Sequence, residues 1–527
     1  MADEMLKIAE DSTRGGFFLV IGTALSTLIV AIASIIIARF LGPELYGQYT
    51  LALVTPQLLF LFTDLGINQG IIKYAADLRQ KGEGSRIIKI IEYGMLLRAA
   101  AGIGIFILNY ALSDMFASLI LQRPDLAYYV KIASTSILFQ VIFTTATSSF
   151  VGLDKTEYNA LTANVQAISK AIISVALVLL GFSVSGAIVG HVVSYVIATI
   201  AGATLLIVML RDLKRCDCQK IQNNSNDLKI LVSYGAPLYL SLLLTGLVPS
   251  YQSIILAFFT TDVEIGNFKA ASNFIALMAV LTTPITTALL PAFSKLSLAT
   301  SRKVKAFFKV ANKYTTMIIL PATFLIIILS GEIVQIVYGS TYQFAPVYLA
   351  TYCLVYLLTG FGYLTLTSLF NGLGDTKTTL KISLITFIGI TVLSPILTKN
   401  YSVQGSIVSL IIANMAGTLY SVHAGKRKLQ IEFNTRSIIK VYLTSALSSI
   451  PTLILLQLAG MPNLLNIIIG GLLYLLTYVT LIPLTKTVTT SEIRKAANIT
   501  QKIKPLWYIT KLVFQYQQKI IRVTTNL

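Results

Sequence analysis

In 527 residues, 55% of the side chains are hydrophobic and only 12% are charged, against roughly a quarter charged in ordinary soluble domains. That balance excludes a soluble enzyme, a disordered tail protein and a secreted disulfide scaffold, and it makes lipid the solvent for most of the chain. The net charge of +19, from 41 Lys+Arg against 22 Asp+Glu, reads as cytoplasmic loop charge rather than a nucleic-acid footprint, so no nucleic-acid partner is expected.

In chain order, residues 1–14 mix acidic and basic side chains. They lack the basic start, short apolar core and small-residue cleavage site of a signal peptide, and a short cytoplasmic segment is expected there. Apolar runs long enough to cross the roughly 30 Å hydrocarbon core follow near 17–38, 47–71, 88–110, 127–150, 158–180 and 186–210, giving a first six-helix bundle over 15–211. A cytoplasmic linker over 212–230 carries Cys216 and Cys218. Together with Cys353 they are too few for a disulfide framework, and nothing beside them completes a metal site. Six more runs, near 232–257, 266–290, 308–329, 345–369, 379–397 and 402–424, make a second bundle over 231–425. Runs near 438–459 and 464–484 supply transmembrane helices 13 and 14 within 426–485.

The remainder, 486–527, reads as a basic amphipathic cytoplasmic tail. After Pro505 the segment LWYITKLVFQYQQKIIRV sets apolar residues at helical spacing with Lys511, Lys519 and Arg522 between them. Such a helix is expected to lie on the anionic inner leaflet with Trp507 at headgroup level. The runs are apolar on every face and lack barrel alternation. The fold class is therefore all-α: a polytopic membrane protein of about fourteen transmembrane helices.

Loop charge sets the orientation. One side carries Lys73 to Lys89, Arg211 to Lys229, Lys295 to Lys313 and Lys426-Arg427-Lys428, whereas the other holds Arg39, Arg123, Lys131, Lys269 and Lys399. The positive-inside rule and an even helix count put both termini in the cytoplasm of a multi-pass protein of the cell membrane.

The two groups of six also read as copies, offset by about 219–220 residues. Gly16 matches Gly235, and Gly47 matches Gly266. Phe150-Val151-Gly152-Leu153 matches Phe370-Asn371-Gly372-Leu373, and Ser183-Val184-Ser185-Gly186 matches Ser402-Val403-Gln404-Gly405. With an even number of helices in each copy, the repeats are parallel, related by an axis along the membrane normal. Transporters of this design bind cargo between their halves and expose it alternately to either side.

Several motifs then carry a family resemblance. Arg39-Phe40-Leu41-Gly42-Pro43 with Tyr46-Gly47-Gln48-Tyr49, Asp64-Leu65-Gly66 with Lys73-Tyr74, and the two Phe-x-Gly-Leu turns, the second continuing Gly374-Asp375-Thr376-Lys377, stand in order along the chain. Tyr234-Gly235-Ala236-Pro237-Leu238 and Ile336-Val337-Tyr338-Gly339 with Tyr342 complete the set. From about residue 12 to 485 the chain resembles polysaccharide (O-antigen-type) flippases of the multidrug/oligosaccharidyl-lipid/polysaccharide transporter superfamily. The resemblance implies two six-helix bundles facing a central cavity, with two extra helices. It also implies a cargo, a polyprenol-linked oligosaccharide carried from the inner to the outer leaflet, with membrane lipids and glycan-assembly enzymes as partners. A multidrug exporter of the same superfamily is the alternative. An enzyme is not expected, because the outer loops are short and hold no Asp-x-Asp pair or His-Glu zinc motif.

A lipid-linked phosphate cannot cross a low-dielectric core unpaired, so intramembrane cations are the first site candidates. Arg98 lies about ten residues into the third helix, roughly 15 Å deep, and Lys170 about fourteen residues into the fifth. Either could bind phosphate, or be held structurally by a carbonyl or by a carboxylate such as Glu92. Arg39 and Lys269 stand at the outer ends of the first and eighth helices, as an outer gate or as interfacial snorkelling residues. Lys73 and Arg14, at inner ends, are candidates to capture the headgroup. No cofactor or metal is expected. Coupling to a proton or sodium gradient would need a group such as Asp64 in the second helix or His191 in the sixth. Pro237 and Pro249 should kink the seventh helix and suit a gate.

Overall fold

The computed structural model describes residues 2–216, 227–296, 301–458, 460–501 and 504–525. With no water in the hydrocarbon, backbone groups must pair within their own segment, and among the described residues every regular element is helical. In order these are α1 (Ala2–Ala52), α2 (Val54–Phe60), α3 (Ile67–Lys81), α4 (Gly84–Ala111), α5 (Ser136–Gly152), α6 (Thr156–Leu177), α7 (Ser183–Cys216), α8 (Asp227–Phe259) and α9 (Asp262–Leu296). There follow α10 (Ser301–Ile328), α11 (Ala345–Cys353), α12 (Thr365–Gly372), α13 (Thr376–Leu429), α14 (Thr435–Leu458), α15 (Asn463–Leu484), α16 (Thr490–Gln501) and α17 (Lys504–Thr525), with short 3₁₀, π and α turns between some of them. Along α4 the polarity of the exposed and buried faces is locally reversed. On α4, Leu96 is 68% exposed while Arg98, two residues on, is 1% exposed.

Ten helices among the described residues are long and apolar enough to cross a membrane, or eleven if Ala345–Phe361 and Thr365–Gly372, bent by 52°, form one span. The expected fourteen segments are therefore not fourteen separate helices. Three stretches of 42, 59 and 54 residues, Gly22–Thr63, Thr156–Lys214 and Thr376–Leu429, far exceed the roughly 20 residues of one crossing. Each contains a break: Gly42 (φ 75°), Gly181 with Ser183 (φ 91° and 51°), and Tyr401-Ser402 (Ser402 φ 52°). At the third break the chain turns back on itself. A Cβ on Gly405 would collide with the Leu397 carbonyl, and one on Gly389 would sit 3.0 Å from Ala413 Cβ, contacts that a straight helix cannot make. The second break behaves alike, with Gly190 seated on the backbone of Ser174 and the Ser174 hydroxyl donating to Ala187 O at 3.3 Å.

The chain forms two compact units. The first comprises Met1–Pro284, Ser340–Tyr348 and Thr379–Ala413. Small residues let its helices approach closely, as in membrane packing generally. Gly22 meets Ala160, Gly102 meets Val141, and Gly94 meets Ile71. An apolar cluster of Ile67, Ile71, Ile87, Ile90, Phe150 and Leu153 holds α3, α4 and α5 together. Within the same unit the matched glycines cross. A Cβ on Gly47 would strike the Asp262 carbonyl, and one on Gly266 would strike the Pro43 carbonyl. Asp262 stands 219 residues after Pro43, as Gly266 does after Gly47, so the contact is reciprocal, as across a two-fold axis. Arg123 pins it: Nε donates to Asp262 Oδ1 at 2.7 Å and NH2 to Thr260 O at 2.9 Å.

The second unit comprises Ile285–Gly339, Leu349–Thr378 and Asn414–Leu527. Its buried span α10 is stitched to the broken span that follows. Asn312 Nδ2 donates to Gly360 O at 3.0 Å, and the Thr365 hydroxyl donates to Asn312 Oδ1 at 2.7 Å. The tail helix α17 has apolar residues on protein and others outside it, Leu512 being 73% exposed. Phe514 and Ile521 of α17 pack against a protein cluster of Tyr474, Tyr478, Ile482, Val488 and Ile493. Glu492 on α16 accepts from Lys313 at 2.8 Å. The Trp507 and Arg522 side chains, like Cys218, lie outside the described residues.

Candidate functional site

The second span is not continuous. It breaks after Thr63, where Leu65 and Gly66 take left-handed dihedrals (φ 47° and 84°), and α3 restarts at Ile67. Asp64 stands at this break. Its carboxylate Oδ1 accepts the Asn68 backbone N–H at 3.0 Å, so it caps the N-terminus of α3, where the helix dipole favours an anion.

Arg98 reaches the same break from α4. NH1 donates to Thr144 Oγ1 at 2.9 Å and to Thr145 Oγ1 at 3.0 Å, and NH2 donates to Thr63 Oγ1 at 3.3 Å. Nε lies 3.8 Å from Asp64 Oδ1 and has no hydrogen-bond acceptor among the described residues. The guanidinium also stands 6.0 Å from the centre of the Phe60 ring. A charge buried in apolar surroundings must be paired or hydrogen-bonded, and here neutral hydroxyls do most of that work. The carboxylate is near enough to attract yet too far to bond. Asp64, not Glu92, is the carboxylate beside Arg98. A cavity of about 120 Å³ opens onto this group, lined by Phe60, Asp64, Asn68, Arg98, Thr144 and Tyr239 among others. The Tyr239 hydroxyl donates to Leu61 O at 2.9 Å, on the segment just before the break.

Lys170 on α6 is 9% exposed. It has no hydrogen-bond or salt-bridge partner among the described residues, but it lies within electrostatic range of His191 on α7. His191 is 6% exposed and its Nδ1 lacks a partner. Its ring meets the edge of Tyr195 at 5.2 Å, and Gln140 donates to the Tyr195 hydroxyl at 3.0 Å. Two candidates that the sequence assigned to different tasks thus lie within electrostatic range of each other.

The other candidates are dispersed. Lys269 donates to Ser253 Oγ at 2.8 Å, and Ser253 in turn donates to Pro249 O at 2.8 Å. Arg39 is exposed on α1 before its Gly42 break. Lys73 stands on α3 with its Nζ 5.3 Å from the centre of the Tyr74 ring. Arg14 and Pro237 lie in helical backbone, with side chains outside the described residues. The seventh helix, where a kink is expected, runs through both prolines as one helical element, α8 (Asp227–Phe259).

Sequence reasoning missed Thr63, Thr144, Thr145 and Tyr239, and it placed Arg123 only as a loop charge. The hydroxyl run Thr144-Thr145-Ala146-Thr147-Ser148-Ser149 inside an otherwise apolar span was a readable signal for a buried cation's partners.

A family model described as polysaccharide biosynthesis protein matches residues 12–297. No curated protein matches the chain. Among solved structures, an inward-closed lipid II flippase MurJ has 18% identity and a TM-score of 0.69, covering 88% of this chain and 99% of its own. An inward-facing multidrug-resistance MATE transporter of the MOP superfamily has 18% identity and a TM-score of 0.63, over 77% and 94%. A MOP transporter from Pyrococcus furiosus, described by a binding pocket of reversed polarity, has 17% identity and a TM-score of 0.57, over 80% and 95%. At these identities the likeness establishes the polytopic helical fold that these transporters share.

Proposed function

The chain belongs to the polysaccharide biosynthesis protein family, and we propose that it flips a polyprenol-phosphate- or pyrophosphate-linked oligosaccharide from the inner to the outer leaflet by alternating access. The observation that carries this reading is the Arg98 site: a cation 1% exposed in the middle of a span, held by threonine hydroxyls, with its Nε–H unbonded beside a carboxylate and a small cavity in front. An anion arriving there meets a fixed donor. Protonation of Asp64 would remove the competing negative charge and strengthen Arg98 toward a phosphate oxygen, which joins a coupling proton to cargo binding at one place. Lys170, with His191 beside it, supplies a second buried cation along the route. Sodium coupling at Asp64 is the alternative arrangement.

In this reading the prenyl tail stays in lipid, the sugar enters the wet cavity, and the protein serves surface polysaccharide or glycoprotein assembly beside the enzymes that build the glycan. Both termini face the cytoplasm of the cell membrane, as the loop charges require. Arg39 and Lys269 belong to the outer end, Lys73 and Arg14 to the inner. The multidrug-exporter reading shares the fold. Two buried cations, one of them beside the deep carboxylate, suit it poorly when the cargo is cationic.

The test is lipid extraction from cells lacking the protein, with prenyl-linked glycans identified by mass spectrometry. A completed glycolipid should accumulate and disappear on complementation. Complementation by Arg98→Gln should fall by at least tenfold, the scale of one lost charge-assisted contact. An unchanged glycolipid pool would refute the cargo, and full rescue by Arg98→Gln would refute the site.

A further inference from the structure

The second unit holds a cavity of about 500 Å³ that no function described so far uses. Its described lining consists of Thr286, Thr287, Thr367, Ser368, Asn371 and Tyr363, closed by two leucines. None of these side chains is charged. Neither a phosphate nor an organic cation would be stabilised there, because each needs an opposite charge or a dense set of ionic hydrogen bonds. Hydroxyls and an amide are donors and acceptors at once, the complement of a ligand whose own groups are hydroxyls. An aromatic ring among them offers a flat apolar face to the C–H side of a pyranose. The volume lies within the range of small-molecule sites.

The backbone supports a binding role. The span that lines the cavity is bent by 52° between Phe361 and Thr365, where Gly362 takes φ 89°. Broken helices at membrane depth are tolerated where they line a cavity. Ser368 is committed to the Thr286 and Leu364 carbonyls, whereas the hydroxyls of Thr287 and Thr367 have no partner among the described residues and are not buried.

The repeat sharpens the contrast. At an offset of about 220 residues, Thr367 and Ser368 correspond to Thr147 and Ser148, but Arg98 corresponds to Ile318 and Asp64 to Pro284. The second copy keeps the hydroxyls and lacks both charges.

We infer that this neutral cavity is the site for the uncharged sugar portion of the cargo, which assigns glycan recognition to the second copy and phosphate recognition to the first. The inference rests on the flippase reading. Its test uses two probes: the glycolipid pool extracted from cells lacking the protein, and the same pool cleaved by mild acid at the glycosyl–phosphate bond into free glycan, which is removed, and the polyprenyl phosphate or pyrophosphate, here called polyprenyl phosphate. Native mass spectrometry titration of the full-length protein in detergent reads the affinity of each.

Wild type should bind the intact glycolipid more tightly than polyprenyl phosphate. Thr287→Val with Thr367→Val, which removes two hydroxyls at constant volume, should weaken the glycolipid roughly tenfold, the scale of two neutral hydrogen bonds, and leave polyprenyl phosphate unchanged. Thr287→Ser with Thr367→Ser should behave as wild type. Equal affinity of the valine variant and wild type for the glycolipid would overturn the assignment, as would equal loss for both probes or equal binding of both by wild type. Wild type binding neither probe would instead overturn the flippase reading and this inference with it.

Discussion

Arg98 and Asp64 show what one residue position can and cannot reveal. A charge inside an apolar run is conspicuous in a sequence, and both were legible as site candidates on that ground alone. Their partnership was not, because the two are joined by the break at Leu65-Gly66, and average hydropathy is blind to a two-residue interruption. The same holds for Lys170 and His191, brought together across neighbouring helices. Outside the membrane a different carboxylate allows a pH test. Burial pushes the Asp375 carboxyl up, but hydrogen bonds from Lys428 and from Thr378, with the Lys428 charge, outweigh it and hold the group below its ordinary value. A depressed carboxylate stabilises the fold above its unfolded pKa of about 4, and the contribution vanishes as pH falls through the lower folded value. Thermal unfolding in detergent should therefore separate wild type from Asp375→Asn by a constant interval above about pH 5, narrowing below about pH 4. An interval that does not change with pH would place the stabilisation elsewhere.

At the scale of the element, the apolar runs marked in the sequence fall in helical segments, and the structure supplies the reason the matched turns match. Phe150 O accepts from Lys155 N and Phe370 O from Asp375 N, each at 2.8 Å, around left-handed Asp154 and Gly374. Both are Schellman closures of a helix end. The glycine two residues before each left-handed position lets a neighbouring helix approach, Gly152 against Ala75 and Gly372 against Phe293. What the sequence misjudged was continuity. It expected no break at Asp64–Gly66 or Gly362, where the backbone takes left-handed dihedrals; at Pro237 and Pro249, where it expected a kink, α8 stays helical. On α17 the apolar residues divide: Phe514 and Ile521 pack on protein, whereas Leu512 is 73% exposed. A periodic face says that something apolar covers it, not what. The hairpin in α13 is the sharpest test of an element. Gly405→Ala places a methyl on the Leu397 carbonyl, with no side chain able to move aside. A loss of about 1–3 kcal/mol, the usual cost of overpacking, should appear as a lower detergent melting temperature. An unaltered melting temperature would show that the hairpin opens freely.

For the whole molecule, the internal duplication read from four short matches governs the design. The reciprocal seat of Gly47 on Asp262 and Gly266 on Pro43 puts equivalent residues of the two copies against each other, at the end where cations are few. Arg123 was legible only as a stray loop charge, since nothing local links it to a residue 139 positions away. If alternating access parts the copies there, Arg123→Ala should favour the open form. Cysteines placed near Asn273, which donates to the Tyr46 hydroxyl beneath this contact, should then react faster with an impermeant maleimide in whole cells. Unchanged labelling would mean that the seal does not depend on the Arg123–Asp262 pair.

The glycine crossing has a thermal consequence. The two seats themselves are peptide against peptide, with no side chain between, and expose amide surface when they separate. Apolar surface raises heat capacity on exposure and polar surface lowers it, so the seats contribute almost no positive heat-capacity increment. Curvature in the van't Hoff plot of parting should therefore come from the buried side chains beside them, Tyr46 and Phe268 above all, and not from the glycine crossing.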